Sequence, residues 1–247
     1  MKPITYFLLS VIFSLKVYCQ TDSMVVIKGG KFLPLYGTSS EVDVTNFKMD
    51  VYPVTNADFL KFVKSNPQWK KSEVKGIFSD EDYLEYWEKD ENFGKNRFPN
   101  SPVTNVSWFA AKSYCECMGK RLPTVNEWEY VAMSNAEVKD ARQNEAYNKT
   151  ILSWYETPST YKNIVGNGTK NYWGVYDLFG MVWEWTYDFN SVMVSANSKD
   201  NNLYCDAGTF TTSDLMNYAA FMRYAFRSSL EGKFTIKNLG FRCVQDI

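Results

Sequence analysis

Short strand signals near the N-terminus, three helices with recognisable caps and long stretches of weak periodicity predict a chain that mixes strands with helices. Met24 to Phe32 (MVVIKGGKF) reads as a strand, a Gly-Gly turn and the start of a second strand. Val42 to Met49 alternates polar and apolar residues, as a half-buried strand does. The first helix starts at Thr55, where Asp58 three residues on supplies a cap and Phe59, Leu60, Phe62 and Val63 an apolar face. Ser107 caps a second helix, Trp108 to Met118, which Gly119 closes at the C-terminal cap. A third begins at Thr124, with Glu127 completing a capping box, and runs through Trp128 and Val131 to about Met133.

Between these elements the pattern weakens. Residues 66–99 are polar and rich in aromatic side chains, among them Trp69, Tyr83, Tyr86 and Trp87, and read as an insertion or long loop. Residues 134–170 also read as loop, with Pro158 and a Gly166-Asn167-Gly168 turn. Trp173 to Trp185 is dense with aromatic residues and short strand signals, and Asp214 to Tyr224 is helix-like. Asn-X-Ser/Thr sequons stand at Asn105, Asn148 and Asn167.

A chain of 247 residues, 45% hydrophobic and 17% aromatic, buries one sizeable core, so one domain is the default. With 27 basic and 28 acidic side chains the formal charge is -1, which gives no footprint for nucleic acid or an anionic membrane surface. Residues 1–20 have the form of a secretory signal: Lys2 is the positive end, Ile4 to Leu15 the apolar run, and small or polar residues follow. That run is too short to span a bilayer. Cleavage near Cys19 or Gln20 would leave residues 21–247 as a secreted or periplasmic domain, read as a monomer. A lipid anchor on Cys19 ranks second, because Lys16 and Tyr18 stand where such a signal wants apolar and small residues. A buried N-terminal strand or helix ranks below both.

The chain contains no histidine. This excludes Ser-His-Asp and Cys-His nucleophiles, the two-His-one-carboxylate iron site, and zinc or copper centres built on imidazole. A metal would have to sit on carboxylate and carbonyl oxygens, which suits calcium, or on thiolates, which suit copper(I) or zinc. Export would put Cys115, Cys117, Cys205 and Cys243 where disulfides persist; four cysteines allow three complete pairings, and spacing does not choose among them. Cys115 and Cys117, two apart on the second helix, point about 200° away from each other and cannot form a local redox pair.

Four segments together resemble the formylglycine-generating enzyme, or sulfatase-modifying factor, family: Met49 to Val63 (MDVYPVTNADFLKFV), Pro102 to Ala132 (with GKRLPTVNEWEY), Tyr172 to Thr186 (YWGVYDLFGMVWEWT) and Ala225 to Cys243 (ending NLGFRC). Their order and spacing cover nearly all of residues 21–247. The resemblance implies that family's complex α+β fold, related to C-type lectins, with short sheets, few helices and much irregular chain. It also implies a Cys115–Cys243 disulfide, and a calcium loop whose ligands carry over to Asp177, Gly180, Val182 and Glu184. A buried carboxylate pair held by backbone donors is the alternative for that loop.

In the oxidising members of the family, two cysteines five residues apart bind copper(I) and process a substrate cysteine. Counting back without gaps from Cys243, those places hold Asp214 and Ala219, and neither is a thiolate. The residues left near the expected groove are Trp183, Arg223, Arg227 and Cys205. Arg227 matches a family arginine and is equally well read as half of an ion pair. Cys205 is either bridged to Cys117 or a free functional thiol, a candidate copper(I) ligand. Tyr172 to Trp185 and Phe221 to Phe234 also resemble a sub-branch found as accessory proteins beside copper-containing nitrite reductases. The leading expectation is therefore a non-oxidising accessory or maturation factor that binds an exported protein or peptide partner. An oxidoreductase of altered chemistry using Cys205 with copper comes second, and a lectin-like binding module third.

Overall fold

The computed structural model describes residues 23–35, 40–95, 97–191 and 215–247. β1 (Met24–Ile27) and β2 (Gly30–Phe32) flank the Gly-Gly pair but belong to different sheets. The stretch expected as one strand at Val42 to Met49 is likewise two, β3 (Val42–Val44) and β4 (Phe47–Asp50). β2 pairs antiparallel with β3, while β1 and β7 (Val244–Asp246) flank β4 in an antiparallel three-stranded sheet. The chain crosses between the two sheets twice, at residues 28–29 and 45–46. Gly29 allows this close passage, because a Cβ there would lie 1.9 Å from the Val44 carbonyl oxygen. Its amide donates to Asn46 Oδ1 at 2.9 Å, which ties the crossings together.

Three helices sit where the caps predict. In α1 (Asn56–Ser65) the Asp58 amide donates to Thr55 Oγ1, and in α2 (Trp108–Cys117) the Ala110 amide donates to Ser107 Oγ. α3 (Val125–Ala132) carries the complete capping box between Thr124 and Glu127. Gly119 follows α2 at φ +68°, a left-handed conformation that glycine adopts without strain. Phe59, Phe62 and Val63 of α1 and Ala110, Ala111 and Tyr114 of α2 face one core, together with Phe241 and Trp185. A second core lies between the three-stranded sheet and α3, built on Phe47, Met49, Trp128 and Trp173.

One expectation is extended and one corrected. Residues 66–99 are long irregular chain as expected, with a 3-10 turn at Pro67–Trp69, but Trp69, Tyr83, Leu84 and Trp87 are buried in the first core. The Tyr83 hydroxyl donates to the Trp69 carbonyl, and Trp87 Nε1 donates to Asn56 Oδ1 at 3.3 Å. These aromatic rings pack without regular periodicity because turns, rather than one helix or strand, deliver them. Within 134–170, read as loop, the chain forms α4 (Glu145–Tyr155), capped by the Asn144 side chain accepting from the Tyr147 amide. Tyr147, Ile151, Trp154 and Tyr155 have the helical spacing, and the cap is of the ordinary kind. α4 packs on α5 (Leu215–Ser228), the helix expected from the Asp214 to Tyr224 stretch.

Cys115, in the last turn of α2, is bonded to Cys243, just before β7, across a sequence separation of 128 residues. Cys117 is exposed and has no disulfide partner among the described residues, and the helical rotation turns it away from Cys115. Replacing Cys115 and Cys243 together with alanine is expected to lower the urea unfolding free energy by about 3 to 5 kcal/mol, and dithiothreitol should shift the wild-type midpoint in the same direction. A midpoint unchanged by either treatment would contradict a structural role for the bridge.

Candidate functional site

The residues singled out in the sequence converge on the faces of α3, α4 and α5 and on a short parallel pair, β5 (Trp183–Glu184) with β6 (Leu239–Gly240). β5 sends successive side chains to opposite faces. Trp183 stacks between Tyr155 of α4, at 4.9 Å between ring centroids, and Phe226 of α5, at 4.5 Å. Glu184 turns the other way into a fully buried ion pair with Arg242.

Arg227 and Arg223, one turn apart on α5, both reach Glu129 of α3. Arg223 donates from Nε at 3.0 Å and from Nη2 at 2.7 Å, and Arg227 donates from Nη1 at 2.6 Å. All three side chains are at least nine-tenths buried, with side-chain exposures of 5% to 8%. Burial alone would raise the Glu129 carboxyl, but the two guanidiniums outweigh it and hold it at about 2. Arg227 also lies over the Trp128 ring at 4.7 Å. Of the two readings of Arg227, the ion pair is the one formed.

Ala219, the position aligned with the second family cysteine, is 1% exposed. Its carbonyl accepts from the Tyr155 hydroxyl at 3.2 Å and from Arg223 Nη1 at 3.1 Å. A methyl group packed under α4 offers no electron pair to copper(I). Asp214 and Cys205, and with them the Cys117–Cys205 alternative, lie outside the described residues, as does the expected signal segment. No helix among the described residues is long and apolar enough to cross a membrane.

The stretch whose resemblance implies a calcium loop holds two buried carboxylates, Glu184 bound by side chains and Asp177 by backbone amides. Both Glu184 oxygens accept from Arg242, and Oε2 accepts in addition from Trp128 Nε1 at 2.8 Å. Asp177 sits at φ +59° and accepts from the Gly166 amide at 2.5 Å and the Gly168 amide at 3.0 Å. Burial raises its carboxyl, opposed by the Gly166 amide and by Arg242. Gly180 lines an open cleft, whereas Val182 is buried beside Tyr161 and Met181. These groups do not fit a calcium shell as they stand, because Arg242 already neutralises Glu184 and the Asp177 carboxylate is occupied by backbone donors. Among the described residues no three His, Cys, Asp or Glu side chains cluster as metal ligands.

The cleft that Gly180 lines holds about 850 Å³ between α4 and the 163–181 stretch. Tyr147, Ile151, Trp154 and Phe179 form its apolar wall. Sequence reasoning missed it, because α4 was the missing wall. Two of the three sequons are closed, since Asn105 and Asn148 are 2% and 6% exposed, while Asn167 is exposed on the cleft rim.

Capped helices joined to short sheets, a disulfide running to the GFRC segment and a buried Glu-Arg pair beneath the WEW stretch define an α+β protein of the sulfatase-modifying type. Residues 11–247 match the family model described as "Sulfatase-modifying factor enzyme 1-like domain", and the chain belongs to that family. Among its relatives is the "Inactive C-alpha-formylglycine-generating enzyme 2" of Bos taurus, 31% identical over 91% of this chain and 88% of that one. The "Formylglycine-generating enzyme" of Mus musculus is 27% identical over 83% of this chain and 67% of that one. In fold it resembles PvdO from Pseudomonas aeruginosa, with a TM-score of 0.53 over 91% of this chain and 94% of that chain at 18% identity.

Glu129→Gln leaves two buried guanidiniums facing a neutral amide and is expected to cost about 3 to 5 kcal/mol in urea unfolding. A folded-state carboxyl held at about 2 contributes stability that is fully present above its ordinary value of 4.5 and is lost as pH falls from 4.5 towards 2. The wild type should therefore lose stability across that window, and Glu129→Gln should show a smaller slope there. If the two slopes match, Glu129 is not held low. Dialysis against EGTA is expected to leave the thermal midpoint unchanged; a fall restored by calcium would place an ion among Asp177, Gly180, Val182 and Glu184 and require Arg242 to move.

Proposed function

We propose that this protein is an accessory member of its family, without the copper-dependent oxidation, that binds an exported protein or peptide partner and assists its maturation, a copper enzyme being the first partner to test. The observation that carries the reading is the packing of Ala219. The place of a copper-binding thiolate is taken by a methyl group on a helix locked down by the Glu129, Arg223 and Arg227 network. The similarity to a relative whose name declares it inactive points the same way. The chain keeps the framework while losing the thiolate pair, and the 850 Å³ cleft gives a partner segment somewhere to lie.

The purified protein, incubated with a sulfatase-motif peptide, copper(I) and oxygen, is expected to convert no cysteine to formylglycine by mass spectrometry. Used as bait in an extract of exported proteins, it should retain a defined partner that Trp154→Ala retains less well. Conversion of the peptide by this protein alone would overturn the reading. Stoichiometric copper(I) binding abolished by Cys205→Ser would favour the altered oxidoreductase instead.

A further inference from the structure

Arg97 is 7% exposed, and no carboxylate among the described residues forms an ion pair with it. Its guanidinium lies against two rings, 4.5 Å from the centroid of Tyr86 and 4.8 Å from that of Tyr161, and the rings stack on each other at 6.4 Å. Nη1 is buried with no hydrogen-bond partner. Every other buried arginine among the described residues is spoken for: Arg223 and Arg227 share Glu129, and Arg242 takes Glu184. A buried guanidinium N–H left without an acceptor is costly, and two aromatic faces offset only part of that cost. Burial lowers the Arg97 pKa, opposed by Tyr161, Tyr86 and Glu85, but an arginine remains charged at any physiological pH.

Lys162 Nζ lies 6.0 Å from the other contact ring, Tyr161, and both Lys162 and Phe98, the residue after Arg97, line the 850 Å³ cleft. We propose that Arg97, set against Tyr86 and Tyr161, is a carboxylate-recognition site, and that the peptide segment of the partner lies along the apolar cleft with its carboxylate on this guanidinium. The inference rests on the partner-binding reading and gives that partner a chemistry. A planar fork matches a carboxylate in two parallel hydrogen bonds. The nearby charge of Glu85 disfavours a dianion such as phosphate. The charged residues of the cleft lining balance, Glu137 and Asp177 against Lys162 and Lys170, so the rest of the segment has low net charge and an apolar residue for the wall of Tyr147, Ile151 and Trp154.

The test is a titration of the full-length, 15N-labelled protein with three short peptides, read on the Arg97 Nε–Hε resonance. Acetyl-Phe-Asp-amide offers a side-chain carboxylate, acetyl-Phe-Ala a terminal one, and acetyl-Phe-Asn-amide neither. At least one carboxylate peptide is expected to shift the resonance saturably and to bind at least tenfold tighter than the amide control; which of the two does so identifies the source of the carboxylate. Arg97→Met should abolish the difference, and Arg97→Lys should keep the charge but lose most of it for want of the fork. Equal binding of all three peptides, or an unaltered preference in a folded Arg97→Met variant, overturns the site. So does a Glu85→Gln variant destabilised as much as Arg97→Met with no peptide shifting the wild type, since Arg97 would then serve an internal pair. Saturable carboxylate binding without capture of any partner supports the site while sinking the partner reading. Capture of a partner equally by wild type and Arg97→Met does the reverse.

Discussion

The Glu184–Arg242 pair is the contact on which the remaining architecture hangs. Both side chains are wholly excluded from solvent, and Arg242 directs every N–H it has to an acceptor: the two Glu184 oxygens, the carbonyls of Asp50 and Val51, and the carbonyl of Tyr176. One guanidinium thus joins the end of β4, the 176 turn and β5, while Trp128 brings α3 to the same carboxylate. A buried ion pair gives little net stability compared with an apolar pair of the same shape, but it tolerates no partial arrangement. Its members hold their positions because every donor and acceptor is satisfied. The neighbouring Cys243 adds a covalent tie from the same segment to α2, so the C-terminal stretch is fixed twice within two residues.

A second ionic knot, Glu129 with Arg223 and Arg227, does for α5 what the first does for the sheet. Its charge is uneven, two cations to one anion, and the surplus is spread over Trp128 and Phe179, whose rings lie 4.7 Å and 5.4 Å from the guanidiniums, and over the Ala219 carbonyl. Polar groups fill the space between α3 and α5, and Ala219 is buried there with its carbonyl hydrogen-bonded. Elsewhere lie the cleft beside α4 and the guanidinium of Arg97, which forms no ion pair among the described residues. The described residues form a family framework in which Ala219 is packed into the interior and a surface recess opens beside α4.

Legibility in the sequence followed the range of the interactions. The caps of α1, α2 and α3 were readable because a cap is decided within four residues, and the same rule would have found Asn144 and α4 had the Tyr147, Ile151, Trp154 and Tyr155 spacing been counted. The aromatic residues of 66–99 were visible but not their burial, because turns place Trp69, Tyr83 and Trp87 in the core without any period to detect. Arg227 could be read two ways until Glu129, 98 positions away in the chain, was found beside it. The ion pair of Glu184, in the stretch expected as a calcium loop, was hidden for a similar reason: Arg242 lies 58 residues away, so nothing local shows the guanidinium that faces this carboxylate. Arg97 drew no notice at all, since its singular feature is what it lacks.

What the sequence by itself determined was the family, the three capped helices and the absence of imidazole chemistry, along with the loss of a thiolate at position 219. These depend on residue identity and short spacing, which the chain carries in itself. Only the tertiary structure decided which charges neutralise one another, which sequons are sealed, where the cleft opens and which buried arginine meets no anion among the described residues. Those are properties of pairs brought together from distant parts of the chain, and a buried charge reveals its role only when the group that faces it, or fails to, is known.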